Sequence, residues 1–202
     1  MIDEFRYEDK FWQQTDAKEI VFGLIGPESQ VLDLGCWTGR LGEKLKKEKN
    51  CVVVGVDINQ KALAIAKKRL DKAFFCDLDK PDRLPKTVKG QKFDFVCATD
   101  VLEHLKNPSL VLRVVGKILH KNGRLIISLP NVANYSIRVK LLLGNFDYEK
   151  TGILDETHLR FFTEKSAIKM IKGCGFEVEK FFWTGRQWLP GLNAFQMIFV
   201  CK

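Results

Sequence analysis

Several features are scarce or missing in this 202-residue chain. No apolar run approaches the roughly 20 residues needed to cross a bilayer, so a membrane span is not expected. The first residues, Met1-Ile2-Asp3-Glu4-Phe5-Arg6, carry neither a basic leader nor an apolar stretch, so a signal peptide is not expected. The six cysteines (Cys36, Cys51, Cys76, Cys97, Cys174 and Cys201) include no C-x-x-C pair, which argues against a zinc ribbon or a redox motif. Several lie in strand-like apolar runs, where a thiol behaves as a small hydrophobe. That usage points to a reducing, cytoplasmic setting. Neither the G-x-G-x-x-G fingerprint of nicotinamide binding nor a phosphate-cradling loop ending in Gly-Lys-Ser/Thr is present. Histidine occurs only three times, as His104, His120 and His158.

What is present suits a globular protein: 46% hydrophobic and 29% charged residues. The length fits one domain over residues 1–202 with a sizeable core. Lys plus Arg number 33 against 25 acids, a net charge of +8. The lysines are scattered among acids and apolar residues, so the excess reads as a solvated surface and a nucleic-acid partner is not expected.

Short β-rich runs alternate with amphipathic stretches. Strands are expected at Gln30–Leu34, Cys51–Asp57, Ala73–Cys76, Lys92–Thr99 and Arg124–Leu129. Helices are expected from Gly39 to Lys49, after a cap at Asn59 to about Leu70, and from Asn107-Pro108 to a stop at Asn122-Gly123. Another is capped by Thr163 and runs through Ile171. Such alternation predicts an α/β, Rossmann-like three-layer sandwich with a mostly parallel sheet. Phe176–Trp183 and Ala194–Cys201 lack a helix between them, so they should close the seven-stranded sheet as an antiparallel hairpin. Residues 131–162 are long, weakly periodic and aromatic, which reads as a lid or binding insert.

Ligands of open α/β sheets sit beyond the carboxyl ends of the strands. The first strand ends in Asp33-Leu34-Gly35-Cys36-Trp37-Thr38-Gly39, where glycines permit a tight turn and close backbone approach. Asp33 there suits a cationic group better than a pyrophosphate. The second strand ends in Asp57, placed to accept from ribose hydroxyls. The third ends in Cys76-Asp77-Leu78, an acid and an apolar neighbour suited to an adenine.

These motifs, with Phe93-Asp94-Phe95-Val96 and Asp100-Val101-Leu102-Glu103-His104, resemble class I S-adenosylmethionine-dependent methyltransferases over nearly the whole chain. The resemblance implies S-adenosylmethionine as cofactor, with Asp33, Gly35, Cys36 and Gly39 around its methionine part. It places Asp57 on the ribose, Ile58 on the adenine face, Asp77 and Leu78 on the adenine edge, and Asp100 at the methyl-donor pocket. Trp37 stands where the family commonly has a glycine. More locally, Asp100 to Leu105, Pro130-Asn131-Val132 and Asp155 to Thr163 resemble MetW-like and ubiquinone-biosynthesis-type O-methyltransferases.

Methyl transfer to a hydroxyl requires an in-line nucleophile and a base to take its proton. His104 and His158 are candidates for that base, because a neutral imidazole suits it near pH 7, and Glu103 stands beside them. His120 reads as a helix C-terminal residue that complements the dipole. A second use of Asp100, Glu103, His104 and His158 is a divalent-cation cluster that would acidify and orient the acceptor. Glu103 as a local cap is a third reading. Tyr7, Phe11 and Trp12, with Tyr135, Phe146 and Tyr148, could close over a substrate or simply cover the sheet edge. Arg138, Lys140, Arg160 and Arg186 could meet an anionic acceptor or be solvated. The favoured expectation is O-methylation of a small-molecule acceptor carrying a hydroxyl. The rivals are ribose methylation of RNA or a nucleotide, and a non-catalytic cofactor-binding partner of another enzyme. The oligomeric state is left open by the pattern.

Overall fold

The structure, a computed structural model, describes residues 16–185 and 189–202. Tyr7, Phe11, Trp12 and Arg186 lie outside the described residues. Helix α1 (Asp16–Leu24) leads into β1 (Gln30–Leu34), α2 (Arg40–Lys49), β2 (Val52–Asp57), α3 (Gln60–Arg69) and β3 (Lys72–Phe75). A 3-10 turn and the short α4 (Leu84–Thr87) precede β4 (Phe93–Thr99). A second 3-10 turn over Leu102–His104 precedes α5 (Pro108–Ile118) and β5 (Leu119–Pro130). Then come α6 (Tyr135–Leu142), α7 (Glu164–Gly173), β6 (Val178–Trp183), α8 (Pro190–Asn193) and β7 (Gln196–Cys201).

The seven strands form one sheet in the order β3-β2-β1-β4-β5-β7-β6. The first five are mutually parallel, and β7 runs antiparallel to both β5 and β6. Side chains alternate across the strands. Leu32, Leu34, Val54, Val56, Val96 and Ala98 pack with α5 and α7 on one face. Val31, Val53, Cys97, Ile126 and Ile198 pack with α1, α2 and α3 on the other. This is the expected α/β three-layer architecture, including its C-terminal antiparallel pair, although the one-turn α8 stands between those two strands where no helix was expected. No helix among the described residues is long and apolar enough to cross a membrane.

Local chemistry explains most boundaries. Asn59 Oδ1 accepts from the Lys61 and Ala62 amides and starts α3. Thr163 and Ser166 form a reciprocal capping box that starts α7. Asn107 occupies the cap position of α5 but makes no side-chain cap bond, so Pro108 at the first turn marks that start alone. One expectation fails at the other end of α5. The helix stops at Ile118 and β5 begins at Leu119, not at Arg124 after an Asn122-Gly123 stop. Leu119 pairs with Phe93, and a register irregularity between Phe93 and Phe95 absorbs the intervening residues. A Cβ on Gly123 would lie 2.9 Å from the Phe93 carbonyl oxygen, so this glycine serves close strand approach and not helix termination. His120 therefore lies in β5, not at a helix end. Residues 131–162, expected to be irregular, also contain α6.

Gly55 of β2 pairs in register with Asp33 of β1. A Cβ there would sit 2.5 Å from Leu70 Cδ1 and 2.6 Å from Cys36 Sγ. The turn after β1 is thus packed directly onto β2. Gly55→Ala should destabilise the protein by about 1–3 kcal/mol through overpacking, read as a lower urea midpoint; an unchanged midpoint would show that the turn yields freely.

Candidate active site

The parallel strands end on one side of the sheet, and a cleft of about 380 Å³ opens there. Its wall comes from α1, the turns after β1, β2 and β4, the end of β5, residues 152–158 and the start of β7. Five buried side-chain polar atoms lack a hydrogen-bond partner among the described residues. They are Trp37 Nε1, Thr99 Oγ1, both carboxylate oxygens of Glu103, and Gln196 Oε1. All belong to residues that line this cleft. Buried polar groups are normally satisfied, so such a concentration marks a place built for a ligand.

At one end, Asp33 is almost fully buried at the end of β1. Burial pushes its carboxyl up to about 7, against the opposing pull of the Lys18 ammonium. Burial in turn lowers the Lys18 pKa, while Asp100 and Asp33 raise it and Arg40 lowers it. Charges of both signs thus meet in one partly dry space. Asp57 ties two turns together: Oδ2 accepts from the Trp37 amide at 2.8 Å and Oδ1 from the Asn59 amide at 2.7 Å. Burial raises its pKa, and these amide bonds work against the rise. Ile58 beside it is well exposed and lines the cleft.

In the middle, Asp100 follows β4 with φ 53°, a left-handed conformation that Asp tolerates better than most residues. Its amide donates to Ser128 Oγ at 3.0 Å. Its Oδ1 accepts from Ser128 Oγ and from Gln196 Nε2, each at 2.6 Å. Strands β5 and β7 together therefore fix this carboxylate.

At the far end, Glu103, His104 and His158 each offer a ligand atom within 4.8 Å of the others. Glu103 is 1% exposed, and burial drives its carboxyl well above the ordinary range, with Asp100 and Asp155 adding to the rise. His104 Nδ1 lies 3.2 Å from both the carbonyl oxygen and Oγ1 of Thr157. The Thr157 hydroxyl donates to Asp155 Oδ1 at 2.6 Å, so both partners of Nδ1 accept. The proton of neutral His104 is thereby placed on Nδ1, leaving Nε2 with a lone pair. His158 Nδ1 likewise donates to the Ile153 carbonyl at 3.0 Å. Burial holds the His158 pKa below its usual value. Two imidazole rings, each anchored through Nδ1, thus flank a buried carboxyl group.

Asp33, Gly35, Cys36, Asp57, Ile58, Asp100, Glu103, His104 and His158 all line the cleft. Gly39, Asp77 and Leu78 do not. Gly39 turns the chain into α2 with φ 77°. Leu78 is buried in the core under α5 and α7. Asp77 accepts from the Asp79 amide and pairs with Lys80. Among the described residues the Glu103 side chain has no hydrogen-bond partner, so it does not act there as the expected local cap. Tyr148, Phe146 and Phe161 form an edge-to-face chain reaching His158, with 6.3 Å between the last two rings. The cations of the same region are engaged within the protein: Arg138 donates to the Ala133 carbonyl, Lys140 pairs with Glu149, and Arg160 donates to the Lys106 carbonyl. Lys18, Ser128, Thr157 and Gln196 were not singled out by sequence. Of these only Thr157 stood inside a noted motif.

Comparison with known proteins agrees with this geometry. A family model described as a methyltransferase domain matches residues 8–180. The ubiquinone biosynthesis O-methyltransferase of Pasteurella multocida is 24% identical over 189 residues, covering 83% of this chain and 75% of that enzyme. The enzyme of the same name from Bradyrhizobium diazoefficiens is 31% identical over 102 residues, 50% of this chain and 40% of its own length. The alignment thus spans less than half of the second relative. A Thermotoga maritima structure described as a possible histamine N-methyltransferase superposes with a TM-score of 0.68 over 100% of both chains, at 19% identity, and shares the fold. The chain belongs to the methyltransferase-domain family and is a methyltransferase.

Asp33 yields a pH test. Its pKa is raised from about 3.9 in an unfolded chain to about 7 in the fold. The native state therefore holds the proton more tightly, and this group's contribution to stability falls as pH rises from about 4 to about 7. Asp33→Asn should raise the melting temperature of the ligand-free protein more at pH 8 than at pH 5; equal gains at both would contradict the assignment.

Proposed function

We propose that this member of the methyltransferase-domain family methylates an oxygen of a small hydroxylated metabolite, in one domain that spans the chain. The carrying observation is the pair of imidazole rings, each anchored through Nδ1 on a backbone carbonyl, at the end of the cleft beyond Asp100. The cleft fits S-adenosylmethionine by its chemistry. Opposite charges at Asp33 and at Lys18 with Arg40 suit a zwitterionic amino-acid group. Asp57 keeps acceptor capacity for ribose hydroxyls, and exposed Ile58 offers an apolar face for a base. The cofactor supplies an electrophilic methyl group on sulfur.

The protein's own task is then to orient the acceptor and remove its proton. His104 Nε2 accepts that proton, and its Nδ1–H, anchored on Thr157, keeps the ring aimed. The rise in charge on His104 is stabilised by the Asp155 carboxylate behind the Thr157 hydroxyl. His158, held neutral by burial, supplies a second acceptor beside it. Gly152, Asp155, Thr157 and His158 line the cleft, which supports an assignment of residues 131–162 to acceptor enclosure, whereas Tyr135, Phe146 and Tyr148 are not part of its lining. The six reduced cysteines support a cytoplasmic setting.

A second reading adds a divalent cation, favoured by the two unpartnered Glu103 oxygens next to His104 and His158. One carboxylate and two imidazoles suit a borderline divalent ion. Bound there, it would lower the acceptor hydroxyl's pKa. Glu103 would then be ionised, whereas without an ion burial keeps it protonated.

The test is mass-spectrometric detection of S-adenosylhomocysteine across a panel of hydroxylated small molecules. His104→Ala should cut turnover by about 10²–10⁴-fold while leaving cofactor affinity within about twofold by calorimetry; full activity would remove His104 from the reaction. A chelator separates the two readings. Loss of turnover on chelation, restored by added magnesium or manganese and absent in Glu103→Gln, supports the cation. Unchanged turnover supports His104 as the sole acceptor of the proton.

A further inference from the structure

Trp37 is the residue of the first turn that neither the core nor the proposed chemistry accounts for. Its backbone is left-handed, with φ 49°. For a bulky residue that conformation costs about 1–2 kcal/mol, and it persists only where the surroundings impose it. The imposing contact is visible: the Trp37 amide donates to Asp57 Oδ2 at 2.8 Å. The indole ring lines the cleft, yet its Nε1 is buried without a hydrogen-bond partner. A strained backbone and an unsatisfied donor thus occur in one residue. The two costs point the same way, since buried indole N–H groups ordinarily find an acceptor.

The acceptor can be deduced from charge and donor type. Lys18 and Arg40, two cations, line the same cleft as Trp37, and Lys18 interacts electrostatically with Arg40 and with Asp33. Like charges gathered beside a buried acid match a ligand carrying an anion and a cation on one carbon. In S-adenosylmethionine only the amino-acid end has that character. An indole N–H can donate but never accept. It therefore cannot serve the ammonium, which also only donates; of the cofactor's acceptors, the carboxylate is the anionic one that Lys18 and Arg40 also match. Asp33 is left for the ammonium.

We infer that Trp37 is a binding residue for the cofactor's amino-acid carboxylate, through a hydrogen bond from Nε1–H that the strained turn holds in place. This rests on S-adenosylmethionine being the ligand of the cleft. It predicts a discrimination that packing alone would not produce. S-adenosylhomocysteine carries the amino-acid group, whereas 5′-methylthioadenosine has the same nucleoside and thioether without it. The side chain of Trp37→Phe keeps an aromatic ring and loses only the donor and part of the ring volume.

Calorimetric titration of wild type and Trp37→Phe with both compounds reads this out. A charge-assisted hydrogen bond corresponds to a loss of about 10-fold or more in affinity. The expected result is such a loss for S-adenosylhomocysteine with 5′-methylthioadenosine affinity unchanged, which also certifies that the variant is folded. A drop of equal size for both compounds would overturn the inference and leave Trp37 a packing residue, as would no drop for either. Trp37→Gly provides an independent check. Glycine adopts the left-handed turn without strain, so the same selective loss should appear there, and its absence would likewise overturn the inference. If wild type binds neither compound, the cofactor assignment itself falls, and this inference with it.

Discussion

One carboxylate, Asp57, holds two chain reversals at once. Through its two oxygens the turn leaving β1 and the turn leaving β2 become a single unit. Everything at that side of the sheet depends on this joint. It places the Trp37 ring, it fixes the direction in which α2 departs, and it orders the start of α3 through Asn59. Gly55 makes the joint possible from below, because only a residue without a Cβ lets Cys36 and Leu70 close over β2. The packing of the core and the shape of the cleft are thus set by the same few atoms.

The charged groups around that joint are costly to hold without a ligand. Asp33 and Glu103 lie almost wholly out of water, and both respond by retaining their protons more tightly. Lys18 responds in the opposite sense and sheds its proton more readily. A zwitterionic ligand at one end and an ionisable hydroxyl at the other would give each of these groups a partner. The ligand-free cleft is therefore an electrostatically unsatisfied surface on a well-satisfied scaffold. That scaffold rests on two apolar layers, one on each face of the sheet.

Much of the fold was legible because strand and helix periods differ and because Asn59, Thr163 and Pro108 mark helix starts. The acids at strand ends were legible because parallel strands all deliver their last residues to the same side. What escaped reading depended on neighbours distant in sequence. Gln196 looks like a polar interruption in the expected strand Ala194–Cys201; only the insertion of β7 beside β5 brings it onto Asp100. Ser128 reads as a polar interruption in Leu125–Leu129 until Asp100 appears across from it. Thr157 sits in a motif whose histidine drew attention, but its bond to His104 joins segments 53 residues apart. The boundary between α5 and β5 was misjudged because Asn122-Gly123 is a good helix stop in isolation. Here the glycine answers to the Phe93 backbone instead. Asp77 and Leu78 follow an edge strand, and the side chains turn to Lys80 and to the core.

The position of β7 has a consequence for the order of events during synthesis. This strand is made last of the seven, yet it belongs between β5 and β6. Until residues 196–201 emerge, Leu125 to Leu129 have no partner on one side, and β6 has no sheet to join. From the making of β5 until residues 196–201 are made, a nascent chain would thus carry an open, strongly apolar strand edge, a recognised route to aggregation. The pairing that closes this edge is also the one that delivers Gln196 to Asp100. Completion of the sheet and completion of the cleft are consequently a single late step, so no partly made chain holds a finished site.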